Sequence, residues 1–127
     1  MRFEIIRAPA ARPLLALFGA TAQRSFVDVD DASVRLRFGA FDETVARMEI
    51  VGAESVRWPL LAGVGWRLVS DGVGLIGTLK NVVGLRLRSR RTVKLFPLFS
   101  VGAQTLYVSV DRPDELIALL APPPRTV

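Results

Sequence analysis

Hydrophobic and polar positions alternate with a period of two along much of the chain. In Ser33–Phe38, Val34, Leu36 and Phe38 alternate with Ser33, Arg35 and Arg37, the pattern of a strand with one buried face. Ser25–Asp30 places Phe26, Val27 and Val29 around Asp28. The Asp30-Asp31-Ala32 step between these segments reads as a hairpin turn, because aspartate tolerates turn dihedrals and bonds its own backbone. Gly39-Ala40-Phe41-Asp42 makes the next turn. Thr44–Val51 reads as one strand ending at Gly52, and Ser55–Trp58 as another, stopped by Pro59. Leu60–Gly65 is an apolar loop, Gly65–Ser70 is extended, and Asp71–Gly77 reads as a glycine-rich inter-strand loop. Val82–Arg88 alternates again, with Val83, Leu85 and Leu87 against Arg86 and Arg88. Ser89-Arg90-Arg91 reads as a turn, Thr92–Leu98 as the strand returning from it, and Leu106–Val110 as the last strand.

The period then changes. Asp111 is a helix cap candidate, Pro113 suits a first turn, and Asp114 and Glu115 complement the positive end of a helix. Leu116, Ile117, Leu119 and Leu120 follow as an apolar face, and Pro122-Pro123-Pro124 ends the helix. At the other end, Phe3–Arg7 reads as a short strand, Ala8–Pro13 as a connector and Leu14–Thr21 as two helical turns. Leu14–Ala20 followed by Ala20-Thr21-Ala22 partly matches a secretory signal. Glu4 and the strand-like Phe3–Ile6 speak against that, and a short helix covering one edge of the domain is the reading adopted.

Composition narrows the chemistry. The chain has 127 residues, half of them apolar, with no Cys and no His. That is one domain with enough apolar residues for a core. Disulfides, thiol nucleophiles, Cys-ligated zinc and histidine general bases are excluded. No apolar run approaches the roughly 18–20 residues of a membrane-crossing helix. No cofactor is expected and the protein reads as a non-enzyme. Asp42 with Glu43 does not make a catalytic pair, since adjacent strand positions point to opposite faces, and Asp114 with Glu115 fits a helix start.

The net charge of +5 is unevenly placed. Residues 28–54 hold seven acids, whereas residues 72–110 hold none and six bases. Arg86, Arg88, Arg90, Arg91 and Lys94 would form a basic hairpin and are the candidate anion- or partner-binding residues. The ordinary reading is an edge strand kept soluble by charge. The functional ones are an acidic protein partner or an anionic lipid. Nucleic acid is not expected, because no aromatic residues interleave the charges. Trp58 and Trp66 flank an apolar loop and are candidates for an apolar pocket or a membrane-interface loop, against the ordinary reading of packing residues. Gly72-Val73-Gly74-Leu75-Ile76-Gly77 has dinucleotide-type glycine spacing. The residues after it make a poor helix, however, and no acid follows at about the 20-residue distance that ribose binding uses.

Across residues 24–121 the layout resembles bacterial pleckstrin-homology-like domains. The opening Phe26–Asp31 followed by Val34–Gly39 carries the resemblance, as does the ending Leu106–Leu120, where a strand leads through Asp111-Arg112-Pro113 into an amphipathic helix. Trp58–Leu61 and Gly63–Trp66 with Val73–Gly77 are also similar to uncharacterised bacterial proteins of this kind. The resemblance implies a mainly β protein: a seven-stranded, partly open barrel capped by a C-terminal helix. Residues 1–23 would be an N-terminal strand and helix extension packed on the domain, and residues 122–127 a proline-rich tail. Lipid-binding relatives use a basic first hairpin loop, but here that loop is the acidic Asp30-Asp31-Ala32. Self-association is a further implication. The functional expectation is a cytoplasmic interaction module binding a protein partner or itself through sheet edges or the basic hairpin. The alternatives are peripheral attachment to anionic membrane through that hairpin, or an apolar ligand held in the barrel.

Overall fold

The computed structural model describes residues 1–59, 63–69, 71–96 and 99–120. Its strands are β1 (Arg2–Glu4), β2 (Ser25–Val29), β3 (Ser33–Phe38), β4 (Phe41–Ala46), β5 (Ile50–Val56), β6 (Gly65–Val69), β7 (Gly72–Ile76), β8 (Val82–Phe96) and β9 (Phe99–Ser109). Helix α1 (Arg12–Leu17) follows β1, and α2 (Pro113–Leu120) closes the described chain. The protein is mainly β with a C-terminal helix. The strands form two sheets, one ordered β1-β2-β3-β4 and the other β5-β8-β9-β7-β6. Among the described residues the seven strands expected within 24–121 are eight, β2–β9, with β1 added from the N-terminal extension, and no closed barrel is found.

The first sheet follows the alternation closely. Asp30 Oδ1 accepts hydrogen bonds from the Ala32 and Ser33 amides at 2.8 and 2.7 Å, fixing the β2–β3 turn. Val34, Leu36 and Phe38 are buried as one face of β3. Beyond β4 the expectation of one strand over Thr44–Val51 is corrected. The chain makes a 3-10 turn at Arg47–Glu49 and restarts as β5 in the other sheet. Val45 and Ile50 are both buried, but their odd separation does not fit one continuous face, and Met48 between them is exposed.

Two further expectations are corrected in the second sheet. Asp71–Gly77 is not a loop, because Gly72–Ile76 forms the buried strand β7, parallel to β9. Ser89-Arg90-Arg91 is not a turn, because β8 runs unbroken through it. Arg86 pairs with Thr105 and Arg91 with Ala103, so five positions on β8 advance against two on β9. The surplus residues make a bulge that bends the strand. The reversal into β9 follows Phe96, with Phe96 paired to Phe99. A local reading takes these three polar residues as a turn; Ser89 and Arg90 instead fall in the bulge, and Arg91 re-enters the ladder opposite Ala103.

The main core lies between the sheets. Phe3, Ile5, Leu36, Phe38 and Phe41 meet Val73, Leu75, Leu85, Leu106 and Val108 there. Leu116 and Leu120 of α2 are also in that core, and the helix packs against β5 and β8. A smaller cluster of Trp58, Ile76 and Val82 lies apart from the main core.

Two corners tie the sheets together. At one, residues 5–8 form a strap: Ile6 N–H donates to Ser109 O at 2.8 Å and Ala8 N–H to Gly77 O at 2.7 Å, and Ile5 makes an isolated bridge with Val110. Ser109 Oγ accepts from the Gly77 amide at 2.9 Å. At the other corner, Glu43 of β4 reaches β8. Its Oε1 accepts from the Lys94 amide at 2.9 Å, and its Oε2 lies 3.4 Å from Arg91 Nη2. The tail at residues 122–127 lies outside the described residues, as does part of the Leu60–Gly65 loop.

Candidate functional site

The five basic candidates all stand on β8, Arg86 before its bulge, Arg88 and Arg90 within it, and Arg91 and Lys94 beyond it. They do not form a hairpin tip. Arg86 precedes the bulge and is exposed. Alternation puts it with Gly84, Thr105 and Tyr107 on the outer face of the sheet, because Leu85, Leu87, Leu106 and Val108 point into the main core. Arg88 and Arg90 are exposed and donate to carbonyls, Arg88 to Met48 O and Arg90 to Gly102 O, each at 3.2 Å. Beyond the bulge Thr92 and Lys94 are exposed while Val93 is buried, so the ribbon again has one polar face. Arg91 differs from the others. Its guanidinium pairs with Glu43, whose side chain is only 17% exposed. Arg91 therefore belongs to the join between the sheets, and Arg86, Arg88, Arg90 and Lys94 have no carboxylate within 4.0 Å among the described residues.

Beside Arg86 the outer face is hollowed. Gly52 pairs with Arg86, Glu54 with Gly84, and Tyr107 lies opposite both Gly84 and Gly74. Glycines on either side of Tyr107 leave a groove of about 400 Å³, lined by Glu54, Asp71, Gly84, Arg86, Thr105 and Tyr107 among others. The Tyr107 hydroxyl donates to the Asp71 carboxylate, whose oxygens lie 2.9 and 3.0 Å away. Burial raises the pKa of this phenol above its usual value, and the Asp71 carboxylate beside it adds to the shift. The groove thus brings one cation, Arg86, together with two carboxylates, Glu54 and Asp71. Among the described residues no cluster of acids is arranged to hold a metal ion.

The dinucleotide-type glycines have packing roles. A Cβ at Gly72 would lie 1.7 Å from the Thr105 carbonyl oxygen, and one at Gly77 would lie 2.0 Å from Ile6 O. One at Gly74 would lie 2.7 Å from the Trp58 ring. Close approach of other atoms to β7 explains the pattern, and no helix follows the motif: Val82 begins β8.

The two tryptophans do not share a pocket. Trp58 is buried on Gly74 and beside Tyr107, with ring centroids 5.3 Å apart, and its Nε1–H donates to Gly63 O at 2.9 Å. Trp66 packs against the main core instead. Its ring lies 4.7 Å from Phe38 and 6.3 Å from Phe18, and its Nε1–H donates to Phe38 O at 2.6 Å. Trp66 pairs across the ladder with Leu75, a main-core residue, whereas Trp58 stands over Gly74, the next position on β7. They therefore lie on opposite faces of one sheet, and the expectation of a joint pocket is corrected. Sequence reasoning also missed Glu43 as the partner of Arg91. Glu43 falls between the turn read at Gly39–Asp42 and the strand read from Thr44, whereas β4 begins at Phe41, and no local signal names the strand it faces.

Compared with known proteins, the chain matches no family model, no curated protein and no solved structure. No helix among the described residues is long and apolar enough to cross a membrane. The class that the structure defines is a two-sheet, mainly β protein with a C-terminal helix and a basic strand exposed along one sheet.

Proposed function

We propose that the chain is a non-enzymatic interaction module of pleckstrin-homology-like type, whose β8 strand takes an acidic segment of a protein partner. The observation that supports this most directly is the run of exposed cations Arg86, Arg88, Arg90 and Lys94, none within ion-pair distance of a carboxylate among the described residues. Arg91, by contrast, is paired with Glu43 at the join between the sheets. Such a run attracts acidic chains at long range and orients them. A second copy is one form of the same chemistry, since Asp30 and Asp31 form an exposed acidic turn. The pleckstrin-homology-like reading draws on the two corner contacts between the sheets and on the C-terminal helix packed against β5 and β8.

Fluorescence anisotropy with a labelled oligoglutamate peptide tests the proposal at low and high salt. Binding should weaken with salt, because exposed charges are screened over a Debye length of about 8 Å at physiological ionic strength. The double variant Arg90→Gln, Lys94→Gln should lose affinity several-fold, given about 0.2–1 kcal/mol for each exposed pair removed. Absence of binding, or equal affinity for the parent and the double variant, would overturn the proposal. Light scattering across a concentration series identifies self-association: a salt-sensitive dimer lost in the same variant would make the partner a second copy.

A further inference from the structure

Helix α1 turns an apolar stripe to solvent. Leu15 is its buried residue. Leu14, Leu17 and Phe18 follow the spacing i, i+3, i+4 and so lie on one side. They are 59%, 77% and 55% exposed. Trp66 extends the stripe, standing edge-on to Phe18. Leu68 lies two residues along β6 on the same face as Trp66 and is 60% exposed. Between α1 and β6 is a largely apolar hollow of about 250 Å³, lined by Leu14, Leu15, Phe18, Val64, Trp66 and Arg67 among others. Single exposed apolar residues are ordinary, but a contiguous group marks an interaction surface.

Charge indicates what covers it. The stretches that build this face contain no acid. Residues 5–27 hold Arg7, Arg12 and Arg24, and residues 55–70 hold Arg57 and Arg67, although the chain carries 12 acids. Arg12 opens α1, and Arg67 lines the hollow beside it; both are exposed. A two-fold pairing of this face with a second copy would gather its arginines in one interface with no acid from these stretches to pair them. An anionic bilayer complements both features at once, because its interface takes apolar side chains at the headgroup–acyl boundary and cations at headgroup level.

We infer that the α1–β6 face docks the protein on an anionic lipid surface. Leu14, Leu17 and Phe18 enter the interface, and Arg12 and Arg67 meet the headgroups. The site is separate from the cationic run on β8, so the protein can hold a bilayer and an acidic partner by different residues.

The test is flotation of the full chain with vesicles of phosphatidylcholine containing phosphatidylserine, and with phosphatidylcholine alone. The protein should float with the anionic vesicles and far less with the neutral ones. The variant Leu17→Gln, Phe18→Gln should bind anionic vesicles at least roughly tenfold more weakly, as expected when exposed apolar side chains can no longer be withdrawn from water. Leu17 is exposed and Phe18 has an edge contact with Trp66, so the variant should lose no more than about 1.5 kcal/mol in urea unfolding and remain folded in the assay. Arg90→Gln, Lys94→Gln should float like the parent, which separates this inference from the β8 proposal. No flotation of the parent would overturn the inference. So would flotation unaffected by Leu17→Gln, Phe18→Gln, or flotation abolished by the β8 variant alone. A dimer lost in Leu17→Gln, Phe18→Gln without vesicle binding would assign the face to a second copy and overturn it too.

Discussion

Replacing Gly72 by alanine should strongly destabilise the protein, whereas replacing Gly52 should leave its stability nearly unchanged. The Cβ of an alanine at 72 would lie 1.7 Å from the Thr105 carbonyl oxygen, where ordinary contact begins at 3.4 Å. The obstructing atom is backbone in β9, so no rotamer change relieves it. The strands must separate by more than about 1 Å, which takes ladder hydrogen bonds out of the bonding range. The β7–β9 ladder runs from Gly72↔Thr105 to Leu75↔Val108. Loss of several of its bonds, each contributing about 1 kcal/mol net, and of the packing around Val73 and Leu75 costs on the order of 4 kcal/mol or more. For a domain stable by about 5–15 kcal/mol that is between roughly a quarter and most of its stability. At Gly74 the obstruction is the Trp58 ring at 2.7 Å. There the cost should be the roughly 1–3 kcal/mol of an overpacked core. A Cβ at Gly52 would have nothing within 4 Å. Urea unfolding of the three alanine variants, followed by tryptophan fluorescence, measures the order. Gly72→Ala within about 1 kcal/mol of the parent would refute the packing account of these glycines.

Glu43→Ala should cost roughly 1–2 kcal/mol, because it removes both the bond to the Lys94 amide and the ion pair with Arg91 at the join between the sheets. Glu43→Gln keeps an acceptor and should cost less than about 1 kcal/mol; equal midpoints for the two variants in urea unfolding would remove the join from the stability argument. Asp42 accepts two hydrogen bonds from Arg35, at 2.9 and 2.8 Å, which lowers its pKa below the ordinary 3.8. Its folded pKa is depressed, so the contribution is present above the unfolded value and is lost as pH falls through the folded one. Thermal unfolding measured from about pH 6 to about pH 2 should therefore show a shallower acid limb in Asp42→Asn than in the parent, and parallel limbs would contradict this reading.

Elements defined by their own alternation were readable from sequence. Ser33–Phe38 is β3 as expected, and the Asp30 turn and the acidic first turn of α2 formed where their local chemistry placed them. What escaped were features set by distant partners. Gly72–Ile76 looks like a loop because glycines favour turns, yet it is buried by β6 and β9 on its two sides. Ser89–Arg91 looks like a reversal because no local signal says that β9 will run alongside it. The basic candidates were visible as residue types, and their division between a paired Arg91 and unpaired neighbours was not, because Glu43 is 48 residues away. Trp58 and Trp66 looked like one feature because they are close in sequence, and the sheet between them separates them.

The strap at residues 5–8 has a consequence in time. Ser109 Oγ donates to Ile6 O across 103 positions, and Asp111 Oδ1 accepts from the Glu4 amide across 107. Closing so long a loop loses chain entropy before any contact compensates it, and folds dominated by non-local pairing are slow, in the millisecond-to-second range. Until the strap docks, Gly77 and the end of β9 keep unsatisfied backbone groups next to apolar side chains, a template for pairing with another chain. Aggregation would then be governed less by the finished surface than by how long the newly collapsed chain waits for its first strand.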